Sequence, residues 1–294
     1  MLVHIKELFA GDVVGKFAYP AFNTMNLEIT RGIVAAAEEV GVPVIMEVSE
    51  GAIAYAGLPT LYEIMATVAE GAKVPVAIHM DHGKDVEQLK RGIELGFSSV
   101  MIDHSKLAYE ENVRDTKAMV EFAHQHGAWV QGEIGKIRGT EDWVSVDDSE
   151  ALLTDPEEAE RFYRETGVDT LAGSFGTIHG IVKMRGGAVP HVDTKRIAQV
   201  AQRVGIPLVL HGASGVDEVV IREAIQAGVA IINIDTELRV AFTDALRASV
   251  QSQPEEVDPR ALFRPVIAAV TAAARKKLVQ FGTKNIIKQQ IVSA

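Results

Sequence analysis

Short apolar runs, several of them rich in β-branched residues, alternate along the chain with longer segments of helical periodicity. The runs are KFAYPAFN (16–23), PVIMEVSE (43–50), PVAIHMDH (75–82), SSVMIDHS (98–105), AWVQGEIG (128–135), DTLAGSFG (169–176), PLVLHGAS (207–214) and AIINIDTE (230–237). The segments between them include LEITRGIVAAAEEVG (27–41), VEQLKRGIELG (86–96) and VRDTKAMVEFAHQHG (113–127). Each of these three closes on a glycine suited to the left-handed turn that ends a helix. Pro43, Pro75 and Pro207 then open the next strand. Strands alternating with helices predict a parallel sheet covered by helices. Eight such units are the number that closes a (β/α)8 TIM barrel, and a doubly wound open sheet is the competing topology. The stretch 258–282 reads as an additional helix after the eighth unit. No linker or low-complexity tract interrupts residues 1–294, so one domain is expected. The widest gap between strands, 136–168, is polar and contains glycine, which predicts a mobile active-site loop.

The polar residues sit at the ends of the apolar runs. In HMDHGKD (79–85), five ionisable residues follow directly on the buried run VPVAI. Strand ends also carry Asn23, Ser49, Glu50, Asp103, His104, Glu133, His179, His211, Ser214, Asn233, Asp235 and Thr236. In a barrel, chemistry is placed at the C-terminal ends of the strands. His82, His179 and His211 come from the third, sixth and seventh units. Three neutral imidazoles on rigid strand ends suit Zn2+ with an open catalytic position. A hydrogen-bonded strand-end histidine is the plain alternative for each one taken singly. His4, His124, His126 and His191 lack this placement and read as surface residues. Asp81 adjoins His82 and, by strand alternation, is expected to point elsewhere, as an acid/base or as an orienter of a histidine. Asp103 and Glu133 offer oxygen ligands for a second metal position, or are paired surface carboxylates. HGASG (211–215) and NIDTE (233–237) are small turns preceding helices, of the kind that hold phosphate after the seventh and eighth strands of a barrel.

Composition narrows the partners. The chain has 294 residues, a net charge of −11 and no cysteine. The acidic balance argues against nucleic acid or an anionic membrane, which require clustered positive charge. It leaves room for a phosphorylated substrate held by backbone amides. No apolar run approaches the roughly 20 residues that span a bilayer, and the N-terminus lacks the basic flank and apolar core of a signal peptide. A cytoplasmic location is expected.

The segments AFNTMNLE, VSEGA, DHG, GFSSVMID, YEENVRDTK, TGVDTLA, PLVLHGASG, INIDTELRVAF and the DPR…FG tail occur in one consistent order from about residue 3 to 282. Together they resemble the class II, metal-dependent ketose-bisphosphate aldolases, which include fructose- and tagatose-bisphosphate aldolases. The resemblance implies a TIM barrel assembled as a homodimer or homotetramer. It implies reversible retro-aldol cleavage of a phosphorylated ketose, by default fructose 1,6-bisphosphate, to dihydroxyacetone phosphate and an aldehyde. A zinc ion would stabilise the enediolate as a Lewis acid. On matching positions, His82, His179 and His211 would bind zinc, with Asp103 and Glu133 as an alternative metal position. Asp81 would take the proton of the C4 hydroxyl, and Glu141 would handle the proton on the enediolate carbon. Gly180, Gly212, Ala213, Ser214, Asn233, Ile234, Asp235 and Thr236 would hold the dihydroxyacetone-phosphate half. Asn23, Ser49 and Lys183 would line the pocket.

Several positions depart from the family pattern: Lys84 and Asp85 after DHG, His104, Lys106, Gly132, Arg138, Ser174, Phe175 and Arg185. Lys277 stands about where an arginine often serves the distal phosphate of a neighbouring subunit, and lysine does not reproduce that fork. These bear on the aldehyde half, so another ketose phosphate, such as tagatose 1,6-bisphosphate, is the alternative substrate. A zinc-dependent barrel hydrolase is the remote one, and it has no need of tandem phosphate turns.

Overall fold

A computed structural model describes residues 1–141, 144–146, 151–180 and 191–282. At Arg138, Thr140, Glu141, Val144–Val146 and His179 it describes the backbone only. The strands are β1 (Tyr19–Asn23), β2 (Val44–Ser49), β3 (Val76–Gly83), β4 (Ser99–Ile102), β5 (Trp129–Ile134), β6 (Arg138–Glu141), β7 (Val144–Val146), β8 (Thr170–Gly173), β9 (Ile178–His179), β10 (Leu208–Leu210) and β11 (Val229–Ile234). Eight of them close a barrel in the order β1-β11-β10-β8-β5-β4-β3-β2, with the pairing parallel throughout. All eight expected strands are present, and the open-sheet alternative is excluded.

The helices are α1 (Ile5–Leu8), α2 (Leu27–Val40), α3 (Glu50–Ala56), α4 (Leu58–Glu70), α5 (Val86–Leu95), α6 (Tyr109–Gln125), α7 (Pro156–Thr166), α8 (Thr194–Val204), α9 (Glu218–Ala227), α10 (Thr236–Ser252) and α11 (Pro259–Gln280). Asparagine or aspartate side chains cap α2, α5, α7, α8, α9 and α11 by accepting from first-turn N–H groups, which removes unsatisfied donors at helix starts. Gly41, Gly96, Gly167 and Gly205 close α2, α5, α7 and α8 with positive φ. No single helix among the described residues is long and apolar enough to cross a membrane.

The gap expected to be one long loop is largely regular. It contains β6 and β7, an antiparallel pair joined in parallel by β9, and then α7. Strands of only three or four residues are too short for a period to be read, so periodicity missed them.

Strand alternation sorts the core into two layers. Phe22, Val44, Met46, Val48, Ile78, Met80, Val100, Ile102, Leu171, Leu208, Leu210 and Ile232 pack outward against the helices. Tyr19, Ala21, Ile45, Ala77, Met101, Ala172, Val209 and Ile231 fill the inside, where Ile5 and Leu8 of α1 plug the N-terminal mouth. Small alanines suit the narrow lumen of an eight-stranded barrel. The additional helix α11 lies so close to α2 that a methyl group on Gly32 would meet Val270 Cγ1 at 2.7 Å. At its C-terminal end, Phe281 O accepts from Ala18 N at 3.1 Å, tying the helix to the entry of β1.

Gly132 departs from the family's usual alanine for a packing reason. A methyl group there would meet Phe162 Cε1 at 2.8 Å and Val168 Cγ1 at 3.0 Å, and Phe162 is fully buried. Gly132→Ala is expected to cost about 1–3 kcal/mol by overpacking, read as a lower denaturant midpoint with an unchanged slope.

Candidate active site

Continued toward the C-terminal ends, the inward face of the strands turns polar. Asn23, Glu47, Ser49, His79, Asp81, Ser99, Gln131, Glu133, His211 and Asn233 are all buried. They follow the same alternation as the apolar inner layer beneath them, so the strands that build the core also build the site.

His82 breaks that alternation. One residue after Asp81, it should point toward the helices. Instead it has a left-handed φ of 49°, and the β3–β4 register shifts between Met80 and Gly83. This bulge turns His82 inward, beside its neighbour. Donor atoms of Asp81, His82 and His211 all lie within 4.8 Å of one another, as do those of His82, Asp103 and Glu133, and of Glu47, His79 and Asp81. The His82 and His211 rings are 4.5 Å apart between centroids and steeply inclined. The expectation that Asp81 and His82 would diverge is therefore corrected, because the bulge adds a residue to the strand and re-aims its side chain.

The hydrogen bonds give each group a fixed orientation. Asp81 accepts from Asn23 Nδ2 at 2.9 Å and from Asn233 Nδ2 at 3.2 Å. Asn233 also donates to Glu47 Oε2 at 3.1 Å. His82 Nδ1 lies 3.0 Å from Asp103 Oδ2 and 3.8 Å from Glu133 Oε2. Ser105 Oγ donates to Asp103 Oδ1 at 2.7 Å. His211 Nε2 is 2.9 Å from Gln131 Oε1. Burial opposes charge on His82, yet the Asp81, Asp103 and Glu133 carboxylates together raise its pKa well above 6.5. Burial also opposes charge on Asp103, but the His82 imidazole holds its carboxyl far below the usual range. Burial, with His82 adding to it, lowers His79 to about 3, so His79 is neutral.

The donor set fits a divalent metal. Four buried carboxylates, Glu47, Asp81, Asp103 and Glu133, lie among three buried imidazoles, His79, His82 and His211, and such a concentration of negative charge in a buried interior favours a bound cation. Imidazole nitrogen and carboxylate oxygen without thiolate suit zinc or its first-row neighbours. The side chains of His179 and Glu141 lie outside the described part. His179 pairs with Gly139 of β6, two residues before Glu141, which itself pairs with Val144 of β7. Lys183 and Arg185 lie outside the described residues.

The two phosphate-type turns follow β10 and β11. Gly180 and Gly212 have positive φ, 88° and 63°. Ala213 and Ser214 are buried. Ile234 packs outward among the helices. Asp235 stands at the N-cap of α10 but directs its carboxylate to Arg239 Nε at 2.7 Å. Helix α10, which starts at Thr236, accordingly has no side-chain cap. Asn23 Oδ1 and Asn233 Oδ1 are buried without a hydrogen-bond partner among the described residues. The Ser49 hydroxyl accepts from Ala52 N at 3.4 Å, at the start of α3.

Sequence reasoning missed Glu47, His79 and Gln131. Their signal was the period of two: each stands two residues before Ser49, Asp81 or Glu133. Other expected or unusual positions are structural. Glu50 accepts from Lys84 N at 2.7 Å, and Asp85 caps α5. His104 bonds Asp115 at 3.0 Å and Lys84 O at 3.1 Å. Ser174 bonds Lys136 O at 3.2 Å, and Phe175 is fully buried. Among the histidines expected at the surface, His4 caps α1 and meets Gly127 O at 2.6 Å, while His124 pairs with Asp169 at 3.0 Å.

The Fructose-bisphosphate aldolase class-II family matches residues 3–286. The fructose-bisphosphate aldolase of Thermus caldophilus is 42% identical over 304 aligned positions, covering 96% of this chain and 99% of that one. The fructose-bisphosphate aldolase of Geobacillus stearothermophilus is 40% identical over 287 positions, covering 97% and 98%. Among solved structures, the YdjI aldolase of Escherichia coli K12 superposes with a TM-score of 0.81 at 32% identity, covering 97% and 98%. This chain belongs to the class II fructose-bisphosphate aldolase family, whose members are metal-dependent lyases acting on sugar phosphates.

Lys277 does not match the role of a distal-phosphate residue reaching a neighbouring subunit. It is 4% exposed, and its Nζ lies 2.6 Å from Glu237 Oε1. The same oxygen accepts from Gly215 N at 2.8 Å, so the pair ties α11 to the turn after β10. Lys277→Met is expected to cost roughly 1.5–3 kcal/mol through loss of this charged hydrogen bond, measured as a lower unfolding free energy.

Proposed function

We propose that this chain cleaves fructose 1,6-bisphosphate reversibly to dihydroxyacetone phosphate and glyceraldehyde 3-phosphate, with zinc as the metal. The observation that carries the reading is the convergence of Asp81, His82 and His211 within 4.8 Å at the C-terminal mouth of the barrel. His82 and His211, joined by His179, would bind zinc, and Asp103 with Glu133 would offer an alternative position around His82. When bound, the ion supplies Lewis acidity where cleavage leaves negative charge.

The remaining steps fall to the chain. Asp81 is kept ready to accept the C4 hydroxyl proton by the Asn23 and Asn233 amides, which fix both of its carboxylate oxygens. Glu141 would return a proton to the carbanionic carbon of the dihydroxyacetone-phosphate half. Gly180, Gly212, Ala213 and Ser214, together with the segment Asn233, Ile234, Asp235 and Thr236 at the uncapped start of α10, would hold the phosphate through backbone N–H groups. Asn23, Ser49 and Lys183 would line the pocket. Assembly as a homodimer or homotetramer rests on the family resemblance.

A coupled assay for dihydroxyacetone phosphate release, run on a panel of ketose phosphates with and without chelator, tests the substrate. Chelator-sensitive cleavage of fructose 1,6-bisphosphate is expected. Cleavage of another ketose phosphate alone would overturn the substrate and leave the chemistry. Asp81→Ala is expected to lower kcat about 10²–10⁴-fold, the usual contribution of a positioned acid or base, with metal content unchanged. Loss of the metal instead would make Asp81 a ligand. Because metal uptake must displace a proton from His82, zinc retention against a chelator is expected to weaken as the pH is lowered.

A further inference from the structure

A chain of hydrogen bonds runs from His211 down the barrel lumen through residues to which the reaction assigns nothing. His211 Nε2 lies 2.9 Å from Gln131 Oε1, Gln131 Nε2 lies 3.4 Å from His79 Nε2, and His79 Nδ1 lies 2.9 Å from Ser99 Oγ. All four residues are buried, each at 2% exposure or less.

A primary amide gives such a chain a direction, because its oxygen only accepts and its nitrogen only donates. Gln131 therefore requires a proton on His211 Nε2 and a lone pair on His79 Nε2. His79 is neutral, so its one ring proton sits on Nδ1, where the Ser99 hydroxyl accepts it. The 2.9 Å bond to His211 is the short link, and the 3.4 Å contact with His79 is consistent with the same amide orientation. The consequence lies at the far end. With its proton on Nε2, His211 carries its lone pair on Nδ1, and the ring belongs to the cluster with Asp81 and His82. The opposite amide orientation would reverse both tautomers, put a proton on Nδ1 of His211 and close that ring to a cation.

We propose that Gln131, oriented by His79 and Ser99, is a positioning residue that locks His211 in the Nε2–H tautomer and so presents its Nδ1 lone pair to a divalent cation. The proposal rests on the reading of His211 as a metal ligand. It assigns the buried polar layer beneath the site a chemical task, which side-chain volume alone would not require.

The test uses the full chain, stripped of metal and labelled with 15N at histidine. Long-range 1H–15N correlation spectra read the tautomer, with the His211 signals identified by their loss in His211→Ala. Zinc alone is the binding probe, measured by competition with a chelator. The wild type is expected to carry the His211 proton on Nε2. Gln131→Met keeps the length of the side chain but has no amide, and is expected to lose the single tautomer and bind zinc about 10–100-fold more weakly, the usual cost of removing an orienting partner. Gln131→Glu restores an acceptor and is expected to regain most of that affinity. A wild-type proton on Nδ1, an unchanged zinc affinity in Gln131→Met, or a Gln131→Glu no tighter than Gln131→Met would each overturn the proposal. If Gln131→Met does not fold, the wild-type spectrum still decides. Unchanged zinc affinity in His211→Ala would refute the ligand reading itself. Loss of zinc there, without loss in Gln131→Met, would refute only the tautomer assignment.

Discussion

A strand buried on both faces sends alternate side chains into the barrel and out to the helices, and the site depends on the one place where β3 abandons that rule. At His82 the backbone enters the left-handed region, a conformation that costs a non-glycine residue about 1–3 kcal/mol. The surroundings hold it there. Gly83 pairs with Ile102 beyond the bulge, Asp103 N donates to Gly83 O at 2.9 Å, and the Asp103 carboxylate receives the His82 ring. A methyl group on Gly83 would meet Leu89 Cδ2 at 2.3 Å, so a larger residue there would disturb the support of the bulge. The return on that strain is two consecutive residues, Asp81 and His82, facing one cavity.

The layers below explain why the groups keep their places. Alanines fit the narrow lumen beside larger apolar side chains, and the polar layer toward the C-terminal mouth is cross-linked. The Asn233 amide joins Asp81 to Glu47, while Gln131 joins His79 to His211. Buried polar networks are favourable only when their members are satisfied, and here Asn233 joins carboxylates on the neighbouring strands β2 and β3 while Gln131 links imidazoles on β3 and β10, across the barrel. Farther out, Glu237 ties the turn after β10 to Lys277 of α11. The helix beyond the eighth unit thus braces the wall where phosphate is proposed to sit.

Most of the fold was legible in the sequence because each barrel strand lies within a largely apolar run and most helices carry capping residues. What escaped was local. The strands β6 and β7, four and three residues long, are too short to announce themselves. The left-handed turn at His82 has no sequence signal of its own, since histidine rarely adopts that conformation. The structure brings together Asp81, His82, Asp103, Glu133, His211 and Asn233, all at strand ends, with Glu47, His79 and Gln131, which strand-end position overlooked because they stand one inward step lower. Lys277, flagged in the sequence as a departure from an arginine that serves phosphate, is buried against a glutamate of its own chain.

Anomalous diffraction at the zinc edge, on crystals grown with the metal, tests the central claim most directly. The account expects a single strong peak at the C-terminal mouth of the barrel, within coordination distance of both the His82 and His211 rings. A zinc peak elsewhere, with none between those rings in crystals of enzyme that cleaves its substrate, would contradict it.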